Sequence, residues 1–184
     1  MARIPQMDIN RLSPSVKVAL ERHLRTNNGI ITNTNLTLCH SLPALEVYMQ
    51  WYVMYDEIEN LLGKRMAALY ALALSSTSES PLCTAVFRKL VAESGESADH
   101  LQLNRQEQAL YQFGSAIAKY SGNISDYVYN AISVDFKTNE MVLLIAFAGM
   151  MVATNIFNNT AETNIDSHLA AYVQESKFHR KISL

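Results

Sequence analysis

The sequence predicts an all-α chain of about eight helices, forming one domain over residues 1–184. Three observations lead there. Apolar residues recur at steps of three and four through long segments, which places them on one helical face. No segment of useful length alternates apolar and polar residues with the period of a strand. Gly and Pro are scarce, at 6 and 4 in 184 residues, and hydrophobic residues make up 49% of the chain, which suits a compact helical globule.

The opening MARIPQMDINRL is expected to be extended, because Pro5 keeps the residue before it out of the helical region. Ser13 and Pro14 supply a cap and a first-turn proline, and a helix follows to about Arg25. Asn27, Asn28 and Gly29 end it. A short helix is expected over Asn33–Ser41, with Cys39 and His40 near its end. In the next, from Pro43 to Leu62, the residues Leu45, Tyr48, Met49, Tyr52, Tyr55 and Ile58 make one broad apolar face. Gly63 stops it. The helix that starts at Lys64 is small and oily, with Ala67, Ala68, Leu69, Ala71, Leu72 and Ala73, as a closely approached central helix must be.

Polar residues from Ser75 to Ser80 are read as a turn, and Pro81 starts a helix that runs to Glu93 before Ser94 and Gly95. Asn104 and Glu107 form a capping box for a helix over Arg105–Tyr120. Ser121, Gly122 and Asn123 separate it from a helix over Ser125–Val134. Lys137–Glu140 leads into a long apolar helix carried to Asn159, and Asp166 or Ser167 starts a last short one.

The net charge of −2 offers no positive field for nucleic acid or anionic lipid. The basic stretch Lys177–Lys181 is short and is read as a frayed terminus. Two cysteines make no disulfide framework, and the start lacks the apolar core of a secretion signal. The longest apolar run, Met141–Ala153, is shorter than the roughly 20 residues that span a bilayer, so it is read as a buried core helix of a soluble, cytoplasmic protein.

Chemistry concentrates in KRMAALYALALSSTSESPLCTAVFRKLVAESG, from Lys64 to Gly95. With Ser80 as N-cap and Pro81 first in the helix, Cys83 is third. A sulfur there lies near free backbone N–H groups and the positive end of the helix dipole, which favour thiolate and lower its pKa. Such a thiolate attacks a peroxide or a disulfide. Free Cys is also among the most buried residue types, and a small core residue is the other reading. Ser80 in turn is either the cap or a hydrogen-bond partner for the sulfur.

The chain resembles the carboxymuconolactone decarboxylase and alkylhydroperoxidase D-like superfamily. The likeness runs through MARIPQMD, LCHSLPAL (Leu38–Leu45), the Lys64–Gly95 helical pair, LNRQEQALYQFGSAIAK and MVLLIAFAGMMVATNIFNN. It implies an all-α, alkylhydroperoxidase D-like domain that assembles as a homo-oligomer, from dimer to hexamer. Thiol peroxidases of the family carry a Glu before the turn, a C-x-x-C at the next helix start, and a nearby His. By that pattern Cys83 is the attacking cysteine and Ser80 holds the place of the other. Ala68 stands where the Glu would be, and Val86 or Phe87 where the His would be. Glu79 remains as a local acid.

The resemblance therefore implies a thiol-dependent alkylhydroperoxidase of the peroxiredoxin type, with a degenerate S-x-x-C, working at most as a single-cysteine peroxidase. A catalytically inactive oligomeric scaffold or binding protein and a cysteine-independent decarboxylase acting on a small lactone are the alternatives. Expected partners are a small hydroperoxide, an external thiol reductant and other copies of the chain. No cofactor, nucleic acid or membrane is expected.

Cys39 and His40 are accessory candidates: Cys39 as a second thiol that meets Cys83, or both as packing residues. Adjacent helical side chains point about 100° apart and do not readily bond each other. His23, His100, His168 and His179 are scattered without metal-ligand spacing. Tyr48, Trp51, Tyr52 and Tyr55 read as packing aromatics. Asn155, Asn158 and Asn159 share a face of the last long helix, where they either line a polar pocket or satisfy backbone carbonyls.

Overall fold

The structure, a computed structural model, describes residues 2–26 and 29–173. The expected stop at Asn27 and Asn28, and the basic tail with His179, lie outside the described residues. Eight α-helices are found among those described: α1 (Pro14–Thr26), α2 (Asn33–Leu38), α3 (Leu42–Leu62), α4 (Lys64–Thr77), α5 (Pro81–Glu93), α6 (Arg105–Tyr120), α7 (Asp126–Ser133) and α8 (Thr138–Ala161). Short 3-10 turns cover Ile9–Arg11 and Ser167–Tyr172, and no strand occurs among the described residues.

Helix α4 is the centre. Every residue from Ala67 to Ser75 is buried, and α3, α5, α6 and α8 all pack on it. Its alanines let neighbours come close on several sides. The tightest approach is Gly114 of α6, where a Cβ would lie 2.9 Å from Tyr70 Cε2 and 3.3 Å from the Tyr70 carbonyl oxygen. Glycine inside a helix costs about 1 kcal/mol relative to alanine, and here its lack of a side chain is what seats α6 on α4. Tyr70 is fully buried with Phe113 and Phe147 against its ring, and its hydroxyl donates to the Leu144 carbonyl at 3.0 Å. Arg65, at the start of α4, binds Glu96 and Glu107, and Glu107 also closes the capping box of α6 with Asn104.

A second, smaller core joins α1, α2 and α3 through Val16, Ala19, Leu20, Leu38, Cys39 and Leu45. The N-terminal segment ties this part to the end of α8. Arg3 N donates to the Ala161 carbonyl at 2.9 Å, Met7 N to that of Leu36 at 3.1 Å, and Asn33 N to Asp166 Oδ1 at 2.8 Å.

Several boundaries differ from expectation. The opening is not wholly extended, because the Asp8 carboxylate accepts from Asn10 N at 2.9 Å and winds a turn. Helix α2 stops at Leu38, since Ser41 already caps α3. Helix α4 continues through Ser75, Ser76 and Thr77. The Ser76 hydroxyl donates back to the Leu72 carbonyl at 2.7 Å, so it is satisfied inside the helix. Helix α8 is longer than its apolar run and is long and apolar enough, by length and composition, to cross a membrane. It is not wholly buried either. Its inner face packs on α3, α4, α5 and α6, while Val142, Ile145 and Ile156 are exposed.

Candidate functional site around Cys83

The turn between α4 and α5 is built from Ser78, Glu79 and Ser80. Glu79 takes the left-handed conformation at φ 51°, which reverses the chain and lets Ser80 N donate to the Ser75 carbonyl at 3.1 Å. A residue with a Cβ pays about 1–2 kcal/mol to sit there. Asn159 of α8 holds the turn from outside, its amide donating to the Ser78 and Glu79 carbonyls at 3.1 and 3.3 Å. This is the carbonyl-satisfying role expected of that residue.

Ser80 stands at the N-cap in an extended conformation, but its side chain makes no capping bond. The expected hydroxyl cap is therefore corrected: Ser80 is buried, and its hydroxyl points inward without a bonded oxygen or nitrogen among the described residues. Pro81 follows as the first helical residue, so one orphan N–H is already absent there.

Cys83 lies in the first turn of α5, as expected, and is 5% exposed. Asn158 Nδ2 donates to its sulfur at 3.3 Å. The amide is oriented by Thr34 of α2, whose hydroxyl donates to Asn158 Oδ1 at 3.0 Å. The lowered thiol pKa expected from the helix start is also corrected. Burial pushes the Cys83 thiol up, outweighing the Ser80 hydroxyl and the Asn158 amide, both of which favour thiolate. Helix-end N–H groups act on a charge they can reach, whereas loss of water penalises that charge whatever its orientation. The nearby cations are engaged elsewhere: Arg88 holds Asp99 through two bonds at 2.9 and 2.6 Å, and Lys89 pairs with Glu93 at 3.2 Å.

The accessory candidates lie in different settings. Glu79 is exposed, and its carbonyl is the group that Asn159 engages. His40 is exposed too, with Nε2 2.9 Å from the Pro5 carbonyl, where it straps the N-terminal segment. Cys39 is buried in the smaller core, and burial raises its thiol pKa. Both cysteines are free. Ala68 and Phe87 are core residues, so neither site expected for an acid or imidazole carries one. Among the described residues no cluster of three or more His, Cys, Asp or Glu could hold a metal ion.

Two contributors were not picked out from the sequence: Asn158, which touches the Cys83 sulfur, and Thr34, which holds Asn158. The signal for Asn158 was there, since amides at Asn155 and Asn158 inside a long apolar helix demand polar company. Asn158 finds it in Cys83 and Thr34. Asn155, one turn earlier on the same face, is fully buried, and neither of its amide atoms has a hydrogen-bond partner among the described residues.

No family model and no curated protein matches the chain. Solved structures do. The debrominase Bmp8 superposes with a TM-score of 0.73 at 13% identity, covering 92% of this chain and 95% of that one. A cysteine-to-alanine variant of Bmp8 in complex with 2,3,4-tribromopyrrole gives 0.71 at 13%, covering 92% and 94%. An alkylhydroperoxidase AhpD core, a peroxidase-related protein from Ralstonia eutropha, gives 0.61 at 14%, covering 91% and 94%. Likeness across nearly the whole of each chain, with the helical order described above, identifies this chain as an all-α protein of the alkylhydroperoxidase D-like fold.

Proposed function

We propose that this protein is a single-cysteine thiol peroxidase of the alkylhydroperoxidase D-like fold, acting through Cys83 on a small, uncharged organic hydroperoxide. The observation that carries the reading is the seating of the Cys83 sulfur, in the first turn of α5 and held by the Asn158 amide. The sulfur attacks the terminal oxygen of ROOH, the O–O bond breaks, and its electron pair leaves with RO. The thiol proton ends on that oxygen, giving Cys–SOH and ROH. An external thiol condenses with the sulfenic acid, releasing water and leaving a mixed disulfide. A second external thiol then restores Cys83 and carries away RSSR. Cys39 belongs to the other core cluster, so turnover is assigned to the external thiol. A hydroperoxidase core and a debrominase seen with a small halogenated ring share this fold, which supports a thiol acting on small electrophiles.

The test is treatment with cumene hydroperoxide, a dimedone trap and peptide mass spectrometry. Sulfenic acid should form at Cys83, and Cys83→Ala should abolish peroxide consumption. A Cys83 that stays unmodified while the fold is intact overturns the proposal. Burial and the raised thiol pKa favour a second reading, an inactive scaffold in which Cys83 only packs. On that reading Cys83→Ala changes stability and nothing else. We further propose that the protein works as a homo-oligomer in the cytoplasm, where external thiols are available.

A further inference from the structure

We infer that Asn155, with Ser75 and Ser80, forms the cradle that positions the hydroperoxide group of an alkyl hydroperoxide against Cys83, in place of the acid and imidazole that Ala68 and Phe87 do not supply. This rests on the peroxidase reading above. Buried polar atoms are almost always paired, yet Ser75 Oγ and both amide atoms of Asn155 have no partner among the described residues, and the Ser80 hydroxyl has no oxygen or nitrogen partner there and acts only on the Cys83 sulfur. All three side chains are 1% exposed or less. Backbone bonding and helical spacing tie all three to the first turn of α5. Ser80 N binds the Ser75 carbonyl at 3.1 Å, Ser80 lies one helical turn before Cys83, and Asn155 lies one turn before the Asn158 that touches the sulfur. Ser76, the neighbour of Ser75, returns its hydroxyl to the helix, and Ser75 does not.

An amide offers an acceptor and a donor side by side, and a hydroperoxide presents the complementary pair. Asn155 Oδ1 accepts from the O–H of ROOH, which aims the terminal oxygen, while Nδ2 donates to the oxygen that leaves. The donor stabilises charge as it develops on RO, and the thiol proton then neutralises it. Asn155 is a substrate-positioning residue in this scheme, and the two serine hydroxyls complete the polar wall.

Wild type, Asn155→Leu and Asn155→Ser are compared by stopped-flow oxidation with cumene hydroperoxide and by alkylation of Cys83 with iodoacetamide. Asn155→Leu should slow oxidation by about tenfold or more, leave alkylation within about twofold, and raise Tm because an unpaired amide is gone. Asn155→Ser serves if the leucine variant does not fold, and should show the same split between the two rates. Equal effects on both rates, or none on oxidation, overturn the inference. Protection of Cys83 from iodoacetamide by cumyl alcohol, the product, gives an independent arm. Protection lost in the variants supports the cradle even if wild-type Cys83 is never oxidised, in which case only the peroxidase reading falls. Protection equal in wild type and variants overturns the cradle.

Discussion

At the scale of the residue, Cys83 is governed by a relay of two contacts: Thr34 fixes the Asn158 amide, and Asn158 points its N–H groups at the sulfur. The thiol pKa lies above the ordinary range because burial outweighs these contacts. The sign follows. Cys83 stays protonated through neutral pH, and its alkylation rate climbs as pH rises past about 8.5, the range where an exposed cysteine has already begun to level off. Asn158→Leu removes a donor that favours thiolate, so the midpoint of the rate–pH profile should move higher still. At fixed neutral pH the alkylation rate should fall by about tenfold, the equivalent of one buried hydrogen bond. A midpoint that moves lower, or not at all, means that Asn158 does not act on the sulfur. The position of Cys83 in the helix was legible in the sequence, because Ser80 and Pro81 mark the helix start locally. Its burial was one of the two readings the sequence offered, and the direction of its pKa was not legible, since that depends on α8 and α2, whose approach is a tertiary event.

Elements were legible wherever their ends carry local chemistry. The Asn104–Glu107 capping box, the proline starts of α1 and α5, and the Gly63 break between α3 and α4 stand where the sequence puts them. Misreading came where a polar run was taken for a turn. Ser75 to Thr77 remain helical because a helix can satisfy a serine hydroxyl by back-bonding, and the real reversal falls on Glu79. Gly114 was equally opaque: its reason is Tyr70, from a helix 44 positions earlier in the chain. Propensity alone says that Gly114→Ala stabilises α6 by about 1 kcal/mol. Contact says otherwise, because the new methyl would meet the ring and carbonyl of a fully buried tyrosine that is itself bonded to Leu144. Overpacking of this kind costs about 1–3 kcal/mol, so Gly114→Ala should lower the urea midpoint with an unchanged slope. A raised midpoint would show that α4 and α6 can move apart without loss.

For the whole molecule, the unresolved balance is on α8. Its inner face is committed to the core, with Leu144, Phe147 and Met151 packed, Asn155 buried, and Asn158 reaching Cys83 of α5. Its outer face carries Val142, Ile145 and Ile156 at 62, 46 and 60% exposure, with exposed Ala146, Gly149 and Ala153 on the same stripe. Branched apolar residues flanking small ones form a surface that another helix can approach closely. A lipid bilayer would accept the same surface, and the two occupants make opposite demands. A membrane span must be apolar all round and free of a globular sheath, whereas α8 has four helices packed on one side. We therefore propose that a second copy covers this stripe. Sedimentation velocity should show the native chain as an oligomer, and Ile145→Glu should dissociate it. A carboxylate buried without a partner costs about 3–5 kcal/mol, enough to weaken association by on the order of 100-fold or more. Helical content by circular dichroism should not change, because Ile145 faces away from the core of its own chain. A native chain that sediments as a monomer, or one that floats with phospholipid vesicles through this same stripe, would overturn the assignment.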